Sequence, residues 1–224
     1  MRTLSATAVA IALALTPTFA GEKSGTFPGW GMAVNPDGDC TFKTGTARLI
    51  ISVPGGNHDL DPRAEYKVNA PRVLQDVEGD FSIEVRVAGT ITPDKDMEAP
   101  GRTIAFRAGA LVVWLDDKNF LRLDRAGMVK DGKPLSFAYF HDYKDGKLVR
   151  EQGPALKDEV MLLRIERKGN RFIASAEQGT VVKKMPTVNW KTPAKVQVGV
   201  AAINVSRQEL HAVFEDLKIT AAKK

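Results

Sequence analysis

Cysteine is nearly absent from this chain, since Cys40 is the only one in 224 residues. A single thiol allows no internal disulfide, so the fold must be held by its hydrophobic core. No Cys/His pair has the spacing of a catalytic dyad or a zinc site. We interpret Cys40 as a small buried hydrophobic residue; a reactive thiol or an intermolecular bridge is the alternative.

Helical periodicity, internal repeats and low-complexity tracts are also lacking. Turn signals recur at short intervals between apolar runs, which favours an all-β fold. The formal net charge is +5, and its charges are mixed along the chain rather than collected in blocks. This pattern is typical of a solvated surface and argues against nucleic-acid binding.

The first twenty residues have the features of a secretory signal peptide. Arg2 provides a positive start, residues 6–15 are apolar, and small residues precede a cut after Ala20. We therefore expect residues 1–20 to be removed on export, to the periplasm, the cell surface or the medium. Residues 21–224 are predicted to form one domain, with no later run long enough to span a membrane.

Strict alternation marks residues 81–87 as a half-buried strand. One face carries Phe81, Ile83, Val85 and Val87, and the other carries Ser82, Glu84 and Arg86. A second hairpin is predicted about Gly169-Asn170, with Leu163 and Ile165 on the same face as Phe172 and Ala174.

The runs 110–115 and 120–125 are predicted to form a hairpin whose register depends on the length of its turn. A two- or four-residue turn puts Trp114 opposite Leu121. The core side then carries Val112, Trp114, Leu121 and Leu123, whereas Phe120, Arg122 and Asp124 lie outside with Leu111, Val113 and Leu115. A three-residue turn would move Trp114 to the outer face.

Several of these segments resemble a known family. The turn 35–40, the glycine-rich stretch 52–60, Asn69-Ala70-Pro71-Arg72, the strand at 79–87 and the hairpin at 110–126 are similar to concanavalin A-like domains of the lectin/glucanase superfamily, of the "regulation of enolase" type. The C-terminal module of some β-xylosidases is a relative. The resemblance implies a jelly-roll sandwich of two curved antiparallel sheets. It supplies no established catalytic residues, and its lectin and glucanase cousins bind carbohydrate on one sheet.

Ligand-binding candidates come from the polar outer faces, from Arg72 and from aromatic side chains that can stack on sugar rings. They are Arg72, Glu84, Arg86, Phe120, Arg122, Asp124 and Trp190. The alternatives stay open: alternating Arg and carboxylate can be an ordinary paired surface, Arg72 can pair with Asp76 or Asp80, and Trp190 can cap the core edge. Tyr139 and Tyr143 are further aromatic candidates.

A metal site is the second prediction. Asp37, Asp39, Asp59 and Asp216 are the candidate ligands of a structural calcium ion, because calcium prefers carboxylate oxygens. The alternative is that these Asp residues simply form turns, in which Asp is common, and bind no metal. His58 lies in the same polar loop as Asp59, and His141 is interpreted as structural or solvated.

These features favour an exported, non-catalytic, carbohydrate-associated binding module of unknown ligand. Two alternatives remain: a glycoside hydrolase-like enzyme of related sandwich fold, and a structural or protein-interaction domain of the cell envelope. Hydrolysis would need Glu84, Asp124 and Glu166 to converge, since no single strand carries the carboxylate run of the sandwich glucanases. The oligomeric state is left open.

Overall fold

All regular structure in the described residues, 21–63 and 65–221 of this computed structural model, is β-strand. The predicted signal peptide lies outside these residues. Within them, no helix has the length and apolar character needed to cross a bilayer. The predicted all-β class is confirmed.

Seventeen strands are formed within the described residues. They are β1 Thr26–Phe27, β2 Gly31–Val34, β3 Thr41–Gly45, β4 Arg48–Val53, β5 Gly56–His58, β6 Arg72–Glu78, β7 Phe81–Ala88, β8 Phe106–Asp116, β9 Asn119–Lys130, β10 Lys133–Lys144, β11 Lys147–Gln152, β12 Met161–Lys168, β13 Arg171–Gln178, β14 Val181–Lys184, β15 Val188–Asn189, β16 Lys195–Ser206 and β17 Leu210–Ala221.

The strands form two antiparallel sheets that pack as a jelly-roll sandwich. The nine-stranded sheet has the order β1-β2-β6-β16-β8-β9-β10-β11, with β5 paired to β16. The eight-stranded sheet has the order β14-β13-β12-β7-β17-β4-β3, with β15 paired to β13. Many neighbouring strands are far apart in the sequence, so long-range pairing holds each sheet together.

The main core lies between the two sheets and follows from the alternation of the strands. In β7 the side chains of Phe81, Ile83, Val85 and Val87 are buried, as predicted. The hairpin of β12 and β13 is also confirmed, because Leu163 pairs with Ala176 and Ile165 with Ala174, and all four are core residues. Gly169 in its turn has φ +60°, which glycine adopts without strain.

The register predicted for the β8–β9 hairpin is wrong. Asp116 pairs with Asn119 around a two-residue turn, but a bulge at Leu115 shifts the register, so that Trp114 pairs with Phe120 and Val113 with Leu121. One extra residue in a strand moves all following side chains to the other face.

The faces of β8 are therefore exchanged relative to the prediction. Leu111 and Val113 join Leu121 and Leu123 in the core between the sheets. Val112 and Trp114 lie on the outer face beside Phe120. The outer placement predicted for Phe120, Arg122 and Asp124 agrees with this register.

The outer face of the nine-stranded sheet is itself covered. Residues 57–63 and 65–70, called the cover segment below, place Leu60 and Ala70 in a second apolar cluster with Ala108, Ala110 and Ile203. Small side chains on β8 and β16 let this segment approach the sheet closely. Polar residues of the outer face are consequently buried beneath a loop, and this is where the candidate site forms.

Loss of a side chain between the sheets is expected to weaken the fold strongly. Ile83 is fully buried, so Ile83→Ala should lower the free energy of unfolding by about 2–5 kcal/mol through lost burial and a residual cavity. Urea unfolding followed by tryptophan fluorescence measures this. The control is Val182→Ala on the edge strand β14, where an exposed side chain should cost less than about 0.5 kcal/mol. Equal effects of the two changes would contradict the assigned core.

Candidate functional site

A row of charged side chains crosses the outer face of the nine-stranded sheet. Arg122 on β9 pairs directly with His141 on β10, and His141 pairs with Glu151 on β11. Residues that face each other across antiparallel strands point to the same side, so the three side chains stand in line. Asp124, two residues along β9, lies on the same face.

Arg122 is almost completely buried and has several partners. Its Nη1 atom donates to the carbonyl of Leu60 in the cover segment at 2.8 Å. Its Nε atom lies 3.0 Å from Asp124 Oδ2, and its Nη2 atom lies 3.4 Å from both ring nitrogens of His141. The guanidinium therefore ties the cover segment to the sheet.

The carboxylates of this network have different environments. Burial raises the pKa of the Asp124 carboxyl, while the neighbouring Arg122 and His141 act in the opposite direction. The hydrogen bond to His141 lowers the pKa of Glu151, which is half exposed. Burial alone would lower the pKa of Arg122, but Asp124 together with Tyr143, Asp59 and Asp61 more than offsets this and raises it, so the guanidinium stays charged.

The rim of the site is built by the cover segment and the chain before β8. Two guanidinium groups contact the ring of Tyr66, with Arg102 3.6 Å and Arg63 4.9 Å from its centroid. Each arginine is also ion-paired: Arg102 Nη2 lies 2.9 Å from Asp59 Oδ2, and Arg63 Nε donates to Asp61 Oδ1 at 2.9 Å. These cation–π and charge contacts fix the orientation of the tyrosine.

These side chains enclose a pocket of about 240 Å³. On the sheet side, Tyr139, His141 and Tyr143 alternate along β10, and the rings of His141 and Tyr143 are stacked with centroids 5.9 Å apart. The pocket is lined by Tyr66, Arg102 and Asp61 at the rim and by Arg122, Tyr139, His141, Tyr143 and Glu151 at the base. It therefore combines aromatic surfaces with paired charges.

The predicted ligand residues are divided between different regions. Phe120, Arg122 and Asp124 lie on the outer face of the nine-stranded sheet, but only Arg122 lines the pocket. Arg72 is buried nearby, 4.3 Å from the Trp114 ring centroid and 3.3 Å from Asp117, rather than beside Asp76 or Asp80.

The other predicted ligand residues lie away from this pocket. Glu84 and Arg86 are on the outer face of the eight-stranded sheet, where Glu84 lies 3.9 Å from Arg164 and Arg164 lies 3.2 Å from Glu166. Trp190 is buried against Phe172 in the main core. The two sheets thus separate Glu84 and Glu166 from Asp124.

The predicted calcium ligands are also only partly brought together. Asp37 and Asp39 both approach His58, with Asp39 Oδ2 3.0 Å and Asp37 Oδ2 3.9 Å from its Nε2 atom. Asp59 points to the other side of the cover segment, toward Arg102. Asp216 is exposed in a bulge of β17 and lies 3.8 Å from Arg86.

Sequence reasoning missed most of the pocket. Of the candidates, Arg122, Tyr139 and Tyr143 line it, and His141 is structural rather than solvated, since it is 3% exposed and contacts Arg122. The alternation Tyr139-x-His141-x-Tyr143 was a usable signal for one polar–aromatic face of a strand. Tyr66 and Arg102 had no such signal, because they lie in irregular segments that only the fold brings together.

Comparisons with known proteins agree with this architecture. A family described as "Protein of unknown function (DUF1349)" matches residues 57–222. The search of curated proteins gave no match.

Several solved structures have a similar fold. A functionally unknown protein from Saccharomyces cerevisiae has a TM-score of 0.66 at 14% identity, over 87% of this chain and 98% of that one. The carbohydrate-binding module CBM66 from Bacillus subtilis has 0.53 at 12%, over 88% and 100%. A xylan β-1,4-xylosidase from Bacillus halodurans C-125 has 0.54 at 11%, over 81% of this chain but 38% of that one. At such identities the likeness shows the β-sandwich fold.

Removing the buried guanidinium should be much more damaging than removing an exposed one. Arg122→Met leaves Asp124 buried without its cation and the Leu60 carbonyl without its donor, so we expect a loss of about 3–5 kcal/mol in unfolding free energy. The matched control is Arg164→Met, whose exposed ion pairs should be worth less than about 1 kcal/mol. Urea unfolding of both variants and of the unmodified chain measures the two losses in unfolding free energy.

The double variant Arg122→Met/Asp124→Leu tests the cause of that loss. It should recover part of the stability, because no unpaired charge remains buried. A double variant less stable than Arg122→Met alone would show that the packing of Asp124, not its charge, is responsible.

The Glu151–His141 contact predicts a pH-dependent contribution to stability. Because the pKa of Glu151 is lowered from 4.5 in the folded state, its contribution is present above pH 4.5 and is lost as pH falls through the folded pKa. Glu151→Gln should therefore be less stable at pH 7 by less than about 1 kcal/mol, since the group is half exposed. The difference should shrink as the pH falls below 4.5 and the carboxylate becomes protonated.

Unfolding curves at several pH values measure this difference. Glu209→Gln is a matched control, because Glu209 contacts His211 at the same 3.4 Å with both side chains exposed. A pH-independent deficit of Glu151→Gln would contradict the electrostatic explanation.

Proposed function

We propose that this chain, which belongs to the DUF1349 family, is a non-catalytic carbohydrate-binding module whose pocket holds a neutral sugar. The proposal depends chiefly on one observation: tyrosine rings and paired charged groups line the same small pocket on the outer face of the nine-stranded sheet. Binding sites commonly combine apolar surface with a few oriented polar groups.

The chemistry of a sugar matches both components. A pyranose or furanose presents C–H groups that pack on aromatic faces, and Tyr139 offers such a surface in the pocket. Its hydroxyls donate and accept hydrogen bonds, which the carboxylates and guanidinium groups can complete. Because ion pairs already orient these groups, little ordering is needed when the ligand binds.

The balance of charge favours a neutral ligand over an anion. Arg63 pairs with Asp61, Arg102 with Asp59, and Arg122 with Asp124. Each cation near the pocket thus already has a carboxylate beside it. A phosphate or carboxylate ligand would have to compete with these partners.

The acid–base chemistry supports binding rather than hydrolysis. A glycosidase needs a carboxylic acid with a raised pKa that reaches the substrate. Glu151 lines the pocket but its pKa is lowered, and Asp124, whose pKa is raised, is fully buried and does not line it. Glu84 and Glu166 lie on the other sheet.

The comparisons give additional support at the level of fold. One similar structure is named as a carbohydrate-binding module. Another is named as a xylosidase, and this chain matches 38% of it. The finer resemblance to the "regulation of enolase" type remains a prediction from the sequence. Export, with cleavage after Ala20, is part of the proposal and is supported by the leader-like residues 1–20.

Binding to a glycan array tests the proposal. The chain from Gly21 to Lys224 should bind one class of neutral oligosaccharide, and uronic acid oligosaccharides should bind less well. Tyr139→Ala should weaken the hit about tenfold, the equivalent of one lost aromatic stacking contact. Arg164→Ala, on the opposite sheet, is the control and should bind normally. Isothermal titration with the best hit gives the affinities.

Three results would overturn the proposal. A blank array with folded protein would favour the structural or protein-interaction alternative. Release of new reducing ends from the bound glycan would show an enzyme. Equal binding by Tyr139→Ala and the unmodified chain would place the glycan outside this pocket.

A further inference from the structure

A second cluster of polar side chains lies on the other side of the cover segment from the pocket. One donor atom from each of Asp39, Cys40 and His58 lies within 4.8 Å of the others, and Asp37 approaches His58 as well. Cys40 and His58 are buried, whereas the Asp39 side chain is 44% exposed. The cluster therefore has a path to solvent on one side.

We propose that Asp39, Cys40 and His58, with Asp37 or water as the fourth ligand, form a site for zinc. The assignment is independent of the sugar pocket. It is based on the donor types, the distances between them and the charge that they leave uncompensated.

The distances are close to those of a tetrahedral zinc site. Cys40 Sγ lies 3.3 Å from Asp39 Oδ1, and His58 Nε2 lies 3.0 Å from Asp39 Oδ2. Zinc–ligand bonds of about 2.0–2.3 Å at tetrahedral angles place ligand atoms about 3.3–3.8 Å apart. The Asp39 contacts are already close to these separations, and all three donor atoms lie within 4.8 Å of one another, so small shifts would bring them to an ion.

The donor set selects the kind of ion. Calcium takes six to eight oxygen ligands, and neither a thiol nor an imidazole suits it. Sulfur, nitrogen and oxygen donors together are typical of zinc. Two of the four residues predicted to bind calcium, Asp37 and Asp39, thus lie in a site better suited to a softer cation. Asp59 and Asp216 lie elsewhere.

The cluster also lacks a cation of its own. Among the described residues, the ion-pair partner of both Asp37 and Asp39 is His58, and no lysine or arginine lies within 4.0 Å of either carboxylate. This differs from the pocket side of the same segment, where each carboxylate at the rim has an arginine. A divalent cation would supply the missing positive charge.

Outer hydrogen bonds already orient the ligands. Asn69 Nδ2 donates to Asp37 Oδ2 at 2.6 Å, and Asn35 Nδ2 donates to the carbonyl of Cys40 at 2.9 Å. Such contacts hold ligands in position before the metal binds. When zinc binds, the Cys40 S–H bond breaks, the sulfur–zinc bond forms, and the proton leaves to solvent.

Zinc at this position would also stabilise the pocket. His58 immediately precedes Asp59, and Asn69 accepts a hydrogen bond from the Asp59 amide at 3.0 Å while it orients Asp37. Fixing His58 and Asp37 therefore restrains the cover segment, whose opposite side carries the pocket rim.

Metal titration of the tag-free chain from Gly21 to Lys224, stripped with a chelator and dialysed, tests the site. Calorimetry should give one zinc per chain, and the melting temperature should rise with zinc but not with calcium. Cobalt(II) should give a sulfur-to-metal charge-transfer band. Cys40→Ser and Asp39→Asn should each weaken zinc about 100-fold or more, since even outer-shell changes cost 10–100-fold.

His211→Gln and Asp216→Asn are the control variants, since these residues lie outside the cluster and should leave zinc binding unchanged. The proposal is overturned if no one-to-one binding occurs, if calcium binds as tightly as zinc, or if cobalt gives no sulfur band. It is also overturned if Asp39→Asn binds zinc normally; this variant decides the matter should Cys40→Ser not fold. No readout uses a glycan, so the result is separate from that of the array.

Discussion

A guanidinium group taken out of water needs partners for its charge and its N–H groups. For Arg122, Asp124 supplies the opposite charge, the carbonyl of Leu60 accepts a hydrogen bond, and the ring of His141 lies beside the guanidinium. The carbonyl comes from the cover segment, whereas Asp124 and His141 belong to the sheet. Arg122 thus adds a polar attachment to the apolar packing of Leu60 and Ala70 on the sheet, and the pocket is built around that attachment.

The cover segment has a different electrostatic environment on each side. Toward the sheet, Asp59 and Asp61 are neutralised by Arg102 and Arg63, which leaves a polar but balanced pocket. Away from it, Asp37 and Asp39 face a single histidine and a thiol. Since Asn69 contacts Asp37 and Asp59, an ion on one side would influence the geometry of the other.

The sequence predicted the sandwich well because most of its strands have one apolar face. It failed at β8, where residues 108–114 are buried on both sides. When both faces of a strand are apolar, alternation does not show which face points to the core. The predicted register of β8 therefore depended on the length of the turn. The bulge at Leu115 then changed the outcome for Val112 and Trp114.

The sites show the same division between local and long-range information. The sequence by itself determined the all-β class, the faces of β7, β12 and β13, and the outer position of Arg122, because each follows from a period of two within one strand. Only the tertiary structure decided that Tyr66 and Arg102 meet β10, and that Cys40 meets His58. Those residues lie in irregular segments or on different strands, and their proximity results from long-range pairing that no local pattern encodes.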